Sequence, residues 1–414
     1  MEPGKYTATA EAWNAGENIL EGSGSIEITV RAGETTDCNI TMILEGETAY
    51  YSKYMILTND PNVKKLYNYT TMQEISIEDF TLGGASYNPV EDREGKIYYI
   101  TDVTLHRNGE LLSQIDTSNL IKNPLYYDSK TDSLWLASFE SNFAVKFLVF
   151  KNPSAATSNT NPSTILYDDS YYLDNSFSCQ AFAVKEDNIY IAYNNSNILL
   201  TKKNNSSNTE ATITLSDITP ALSGEVTDMA VLEDGTVAVL VRSVGVGTET
   251  EGFDNMSLKD KGTVYSRGAL VLLSSDLSKV EKVLGWTDSA RTISATGEDT
   301  ENPVTKWTSI EAYIPEYEER GTHFYGPMRI VAIRPKELVI ADCGANFVLP
   351  DYSEKKNGSM FAHNRLMTVN LRNFAIGCKK EFSESELKFR NLTISGGILA
   401  TSASPYYGNY VDEK

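Results

Sequence analysis

Six polar residues recur at the end of the first of two paired apolar runs, where the second strand of a repeated unit would close: Asn59, Asp102, Glu140, Asn194, Arg242 and Asp342. Five of them, Asn59, Asp102, Glu140, Asn194 and Asp342, bring carboxylate or amide oxygens, the ligand type that calcium takes. If their strands converged on one channel they would form a metal site, and calcium is the one cofactor candidate; otherwise none is expected. The competing reading is local, because Asn and Asp at strand ends turn the chain by bonding their own backbone. That reading needs no ion and is the simpler.

A second set lies in residues 285–327, where Trp286, Trp307, Tyr313, Tyr317 and Tyr325 stand among acidic residues. Aromatic rings on one face can stack on a sugar or hold a peptide, and they can equally pack a long loop down. Beyond these the chemistry is sparse. There is no GxSxG elbow, HExxH, P-loop or GxGxxG before a helix. The histidines His106, His323 and His363 share no ligand spacing, and Cys38, Cys179, Cys343 and Cys378 form no CxxC pair, so zinc is not expected. Spacing does not decide whether Cys343 and Cys378 bridge; the plainer expectation is small buried hydrophobes.

Charge narrows the partners. The 414 residues carry 56 acidic against 36 basic side chains, a formal net charge of −20. Nucleic-acid binding draws on basic side chains that displace counterions, so a nucleic-acid partner is set aside. The residues are 41% hydrophobic with no apolar run near 18 long, which provides a core and no transmembrane span.

Such residues must be positioned by strands. Tyr is abundant, at 24 residues, and Thr, Ile and Val cluster in short runs broken by Asn, Asp, Gly and Ser, without sustained helical periodicity. The chain reads as all-β. One plan recurs: an apolar strand, a turn, and an apolar return. It covers KYMILTNDPNVKKLYNY (53–69), GKIYYITDVTLHRNGELLSQI (95–115), DSLWLASFESNFAVKFLVF (132–150) and DNIYIAYNNSNILLTKKN (187–204). It returns in GTVAVLVRS with GALVLLSSDL (235–243, 268–277) and in KELVIADCGANF with NRLMTVNL (336–347, 364–371). The spacing, mostly about 40–55 residues, is that of propeller blades. Six blades are expected, and the interval from Val237 to Leu338, twice the repeat, leaves room for a seventh. FRNLTISGGILATS (389–402) lacks a return strand and segment 53–69 lacks an inner one, so pairing them would close the propeller over 45–414 and cover its edges.

Residues 1–44 follow a different plan. PGKYTATAEAW, GSGSIEITV and TDCNITMIL alternate between turns at NAGEN and RAGET. This run resembles the last strands of bacterial Ig-like surface domains, which implies a partial β-sandwich whose earlier strands lie upstream. Farther on, DMAVLEDGTVAVLVRS, MRIVAIRPKELVIAD, ADCGANF and NRLMTV resemble the NHL type of propeller repeat. In that repeat an Asp closes the second strand and an Asn and Arg follow around the next turn. Here Phe347 to His363 is expected to interrupt the return.

The resemblances imply a non-catalytic binding module of an exported bacterial protein, at the cell surface or in the periplasm, with a lipid anchor upstream as one arrangement. The propeller face and the loops 243–268, 285–327 and 348–363 would hold a protein, peptide or glycan. The alternative is a six-bladed propeller enzyme of the metal-dependent lactonase or lyase type with its site in the central channel. A structural spacer is the third reading.

Overall fold

In the computed structural model the residues described are 4–13, 20–31, 33, 43–44, 54–60, 63–68, 73–75, 90–92, 94, 96–101, 104–115, 120–139, 145–157, 162–167, 178–186, 188–194, 198–204, 209–244, 265–293, 310–313, 321–334, 337–348, 359–381, 393–394 and 397–398. They are almost all strand, with short 3-10 turns such as Pro153–Ala155 and Leu215–Asp217. Strands β1 (Gly4–Trp13), β2 (Leu20–Val30) and β3 (Ile43–Leu44) form one antiparallel sheet. Three strands in one sheet do not define an Ig-like sandwich, and the described residues show nothing further of one. Next come β4 (Tyr54–Asp60), β5 (Val63–Asn68) and β6 (Gln73–Ile75).

Five four-stranded sheets follow, each an up-and-down meander. Blade 1 holds β7 (Val90–Glu91), β8 (Ile97–Thr101), β9 (Thr104–Arg107) and β10 (Glu110–Gln114). Blade 2 holds β11 (Leu120–Asp128), β12 (Ser133–Phe139), β13 (Val145–Lys151) and β14 (Ser163–Tyr167). In blade 3 the strands are β15 (Ser178–Lys185), β16 (Asn188–Asn194), β17 (Ile198–Asn204) and β18 (Thr209–Thr214). Blade 4 has β19 (Glu225–Val231), β20 (Val237–Val244), β21 (Tyr265–Leu273) and β22 (Val280–Leu284). A hairpin of β23 (Ala290–Ile293) and β24 (Ile310–Tyr313) precedes blade 5, which has β25 (Pro327–Arg334), β26 (Glu337–Val348), β27 (Ser359–Asn370) and β28 (Ile376–Glu381). Last are β29 (Thr393–Ile394) and β30 (Gly397–Ile398).

The first strands of the blades, β7, β11, β15, β19 and β25, lie side by side in that order. This is a β-propeller, and it has five blades rather than the six expected. Two features explain the difference. Segment 53–69 forms no four-stranded blade; β4–β6 share a five-stranded sheet with β29 and β30, in which Thr58 faces Thr393 and Leu57 faces Ile394. Of the Val237–Leu338 interval, the described residues between blades 4 and 5 add only the hairpin β23–β24, so no seventh blade is found among them.

Blades stack because their strands are apolar on both faces, and the period of two assigns each residue a neighbour. On β12, Leu134 and Leu136 pack toward blade 1 with Tyr98, Ile100 and Leu105. Trp135 and Ala137 face the other way, into the core shared with blades 3 to 5. There Trp135 meets the edge of Phe147 with centroids 5.7 Å apart, and Phe147 leans on Phe182 at 5.0 Å. In blade 4 VAVLV and ALVLL are buried throughout, which is why they read as unbroken apolar runs.

Asp228 ties blades 4 and 5 together. Fully buried on β19, its carboxylate accepts the Met229 amide at 2.9 Å and the Ile330 amide of β25 at 2.8 Å. Thr227 adds a hydroxyl bond to the Pro327 carbonyl at 2.8 Å.

Candidate functional site

Antiparallel order gives each blade two unlike ends. At one, the first strand begins, the second meets the third, and the fourth leads to the next blade; the long connections 245–264, 294–309 and 349–358 all arise there. The other end holds the connections that join first to second and third to fourth strands, which in blade 4 are the tight turns between Val231 and Val237 and between Leu273 and Val280.

At the loop end the sequence-marked aromatics are in part placed. Arg267, at the start of β21 and buried, lies between Trp286 and Tyr313, its guanidinium carbon 3.6 Å and 3.8 Å from the two ring centroids. It also pairs with Asp288 at 2.8 Å, and Asp288 accepts the Trp286 indole N–H at 3.1 Å. Burial lowers the Arg267 pKa. Tyr325 is buried at 1% exposure, stacked against Arg365 at 4.2 Å and His363 at 4.7 Å. Thus Trp286 and Tyr313 clasp an arginine of blade 4 and Tyr325 one of blade 5. Trp307 and Tyr317 lie outside the described residues.

Gly285 fixes the entry to this region. Its φ of +79° suits glycine, and a Cβ there would run into the Phe324 ring, which is itself buried. The Phe324 amide donates to the Gly285 carbonyl at 3.0 Å, so the two ends of the 285–327 stretch are bonded together at the blade.

Of the polar strand-end residues, Asp342 is the most fully described. It is 0% exposed and forms an ion pair with Arg365, its direct neighbour across the β26–β27 ladder. Its oxygens also accept the Tyr325 amide at 3.1 Å and the Gly326 amide at 2.7 Å. Arg365 donates besides to the His323 carbonyl at 2.8 Å. Burial opposes the Arg365 charge, but the Asp342 carboxylate beside it holds its pKa above the ordinary arginine value. Asp342 therefore points into the passage between blades 4 and 5, committed to chain groups.

The matching position of blade 4 carries Arg242, which pairs with Glu225 at 2.5 Å and stacks on Tyr265 at 3.8 Å. Burial pushes the Tyr265 phenol up to about 12. Asn194 closes β16 opposite Ser178, and Asn59 sits at an irregularity in the β4–β5 register. Asp102 and Glu140 lie outside the described residues. Among the described residues no three His, Cys, Asp or Glu group as a metal site would. Cys179 and Cys343 are buried and Cys378 is exposed, and none of the three forms a disulfide.

The expected interruption at Phe347–His363 is corrected. β26 and β27 pair continuously from Glu337–Asn370 to Val348–Ser359, so the connection is only 349–358. The registers of β25 and β28 reach only to Asp342 and Arg365 on this hairpin, so its outer part, Cys343–Val348 with Ser359–Asn364, extends past them as a two-stranded ribbon. At its root His363 meets Glu381 at 2.6 Å, and that bond holds the exposed Glu381 carboxyl below the usual range.

Sequence reading marked Arg242 and, through the NHL-type pattern, the Arg of NRLMTV, but missed Arg267 and the pairing of each with a carboxylate and an aromatic ring. Arg267, near the start of β21, and Arg365, midway along β27, each stand just before an apolar run, in SRGALVLL and NRLMTV, which is the available signal.

The fold and this end define a β-propeller whose loop end is floored by buried arginine, carboxylate and aromatic groups. No protein-family model and no curated protein matches the chain. Among solved structures it is similar to a protein of unknown function from Bacteroides caccae, at 9% identity and a TM-score of 0.46, covering 83% of this chain and 97% of that one. A putative TolB from Agrobacterium tumefaciens gives 8% identity and 0.39, covering 81% and 90%. The WD40 domain of SCAP from fission yeast gives 9% and 0.27, covering 95% and 80%. Likeness at this level carries no argument about activity. No helix among the described residues is long and apolar enough to cross a membrane.

Proposed function

We propose that the chain is a non-catalytic recognition module of an exported bacterial protein, at the cell surface or in the periplasm. In this reading Ig-like strands precede an NHL-like propeller, and the loops at one end hold a protein, peptide or glycan. One observation carries it: the connections 245–264, 294–309 and 349–358 all leave the same end of blades 4 and 5, where buried arginines are paired with carboxylates. A rigid floor under long connections is the usual division of labour in binding folds, where a scaffold positions loops that make the contacts. The Asp342–Arg365 pair also fits the NHL pattern of an Asp closing the second strand and an Arg after the turn. The export reading rests on the resemblance of residues 1–44 and on the acidic, Asn/Ser/Thr-rich composition.

The test replaces 294–309 by a two-residue Asn-Gly turn, which suits the directly paired Ile293 and Ile310 of the hairpin. Wild type and variant are screened on one array of defined glycans and peptides, with thermal unfolding alongside. The expected result is a ligand held by wild type, lost by the variant, and an unchanged melting point. Unfolding of the variant, or an array on which wild type and variant behave alike, contradicts the reading.

A further inference from the structure

The opposite end of blades 4 and 5 holds a groove of about 680 Å³, far from the long connections. Its walls come from tight turns: Leu232–Thr236 and Ser274–Ser275 of blade 4, and Leu371–Phe374 of blade 5. Leu232, Leu272 and Ile333 form a buried apolar floor, while Phe374 stands half-buried at the lip with the Lys282 ammonium 5.3 Å from its ring centre. A cleft of this volume with an apolar floor and a few polar groups has the character of a ligand site.

Charge on the rim indicates the occupant. Glu233, Asp234 and Glu281 line the groove against a single basic lining residue, Arg372. Glu281 is engaged by Lys279 at 2.6 Å. Lys185, which is near Glu233, donates instead to the Leu232 carbonyl at 2.6 Å and to the Glu233 carbonyl, so its protons are committed to the backbone. Asp234 uses one oxygen to accept the Thr236 amide at 2.9 Å within the turn. Among the described residues neither Glu233 nor Asp234 has a cationic partner, although both are exposed beside an open apolar cleft.

We propose that this groove is a second binding site, for a peptide segment in which a lysine or arginine sits beside aliphatic or aromatic side chains. The apolar side chains enter between Leu272, Ile333 and Phe374, and the cation meets Glu233 and Asp234 at the rim. The site does not depend on the loop-end reading, since none of its residues belongs to the long connections.

The test is fluorescence polarisation with a labelled GSLKLKFSG peptide, against versions with both lysines changed to glutamate or with the leucines and phenylalanine changed to serine. Three variants are compared with wild type: Glu233→Lys with Asp234→Asn, which keeps the turn acceptor; Ser275→Trp, which fills the groove from an exposed position; and the 294–309 replacement. Wild type should bind the parent peptide and neither altered one. The charge variant should weaken binding by about tenfold, the order expected for two exposed charge contacts. Ser275→Trp should abolish binding, and the loop replacement should leave it unchanged. No binding of the parent peptide, equal binding of the serine version, or indifference to Ser275→Trp would overturn the proposal. So would loss of binding in the loop replacement alone, which would assign the peptide to the other end.

Discussion

The two ends of blades 4 and 5 treat charge in opposite ways. At the loop end Arg242, Arg267 and Arg365 are buried, each stacked on aromatic rings and joined to a carboxylate. At the turn end Glu233 and Asp234 stand exposed at the rim of an apolar groove, and among the described residues no cation is paired with them. Burying a charge is costly unless it is paired and hydrogen-bonded, so loop-end charges are structural and a change there is felt in stability. An exposed carboxylate costs the fold little and remains available to a ligand. Residue type alone does not separate the two; burial does.

The comparison can be sharpened at Arg267. Arg267→Lys keeps the charge and loses the planar guanidinium that fills the space between Trp286 and Tyr313. It should lower stability by about 1–2 kcal/mol and change Trp286 fluorescence. Wild-type stability and emission would mean that the clasp is incidental and the two rings are free to serve a ligand.

A smaller effect is expected at the ribbon root. Folding lowers the Glu381 pKa below its ordinary 4.5, so the unfolded chain binds that proton more readily than the folded one. The stabilisation is complete above pH 4.5 and is lost as the pH falls through the lowered folded value. In Glu381→Gln the decline of melting temperature below pH 4.5 should be shallower than in wild type. Parallel curves would detach the His363–Glu381 contact from stability.

Much of the fold was legible because blades buried on both faces leave long apolar runs, and IYIAY, VAVLV and ALVLL mark second and third strands directly. The turn at Asp234–Gly235 was legible too: Gly235 takes φ +93° and Asp234 caps the turn. Blade count was not. Segment 53–69 does pair with the strands at 393–398 as the sequence suggested, but the result is a five-stranded sheet rather than a sixth four-stranded blade, and local pattern does not say how many strands a sheet will gather. The site was legible in part. Trp286, Tyr313 and Tyr325 were marked as candidate ligand contacts, and the structure places each against an arginine that a run of apolar residues had concealed. The groove was illegible because its walls are turn residues, which read as punctuation until two blades bring their turns together.

The contrast between the ends is tested most directly by equilibrium denaturation of Asp342→Asn and Glu233→Gln side by side. Removing the Asp342 charge leaves Arg365 buried without its counter-ion and should cost about 3–5 kcal/mol, while Glu233→Gln should leave the unfolding midpoint where it is in wild type. A small loss at Asp342, or an equal loss at both positions, would contradict the account.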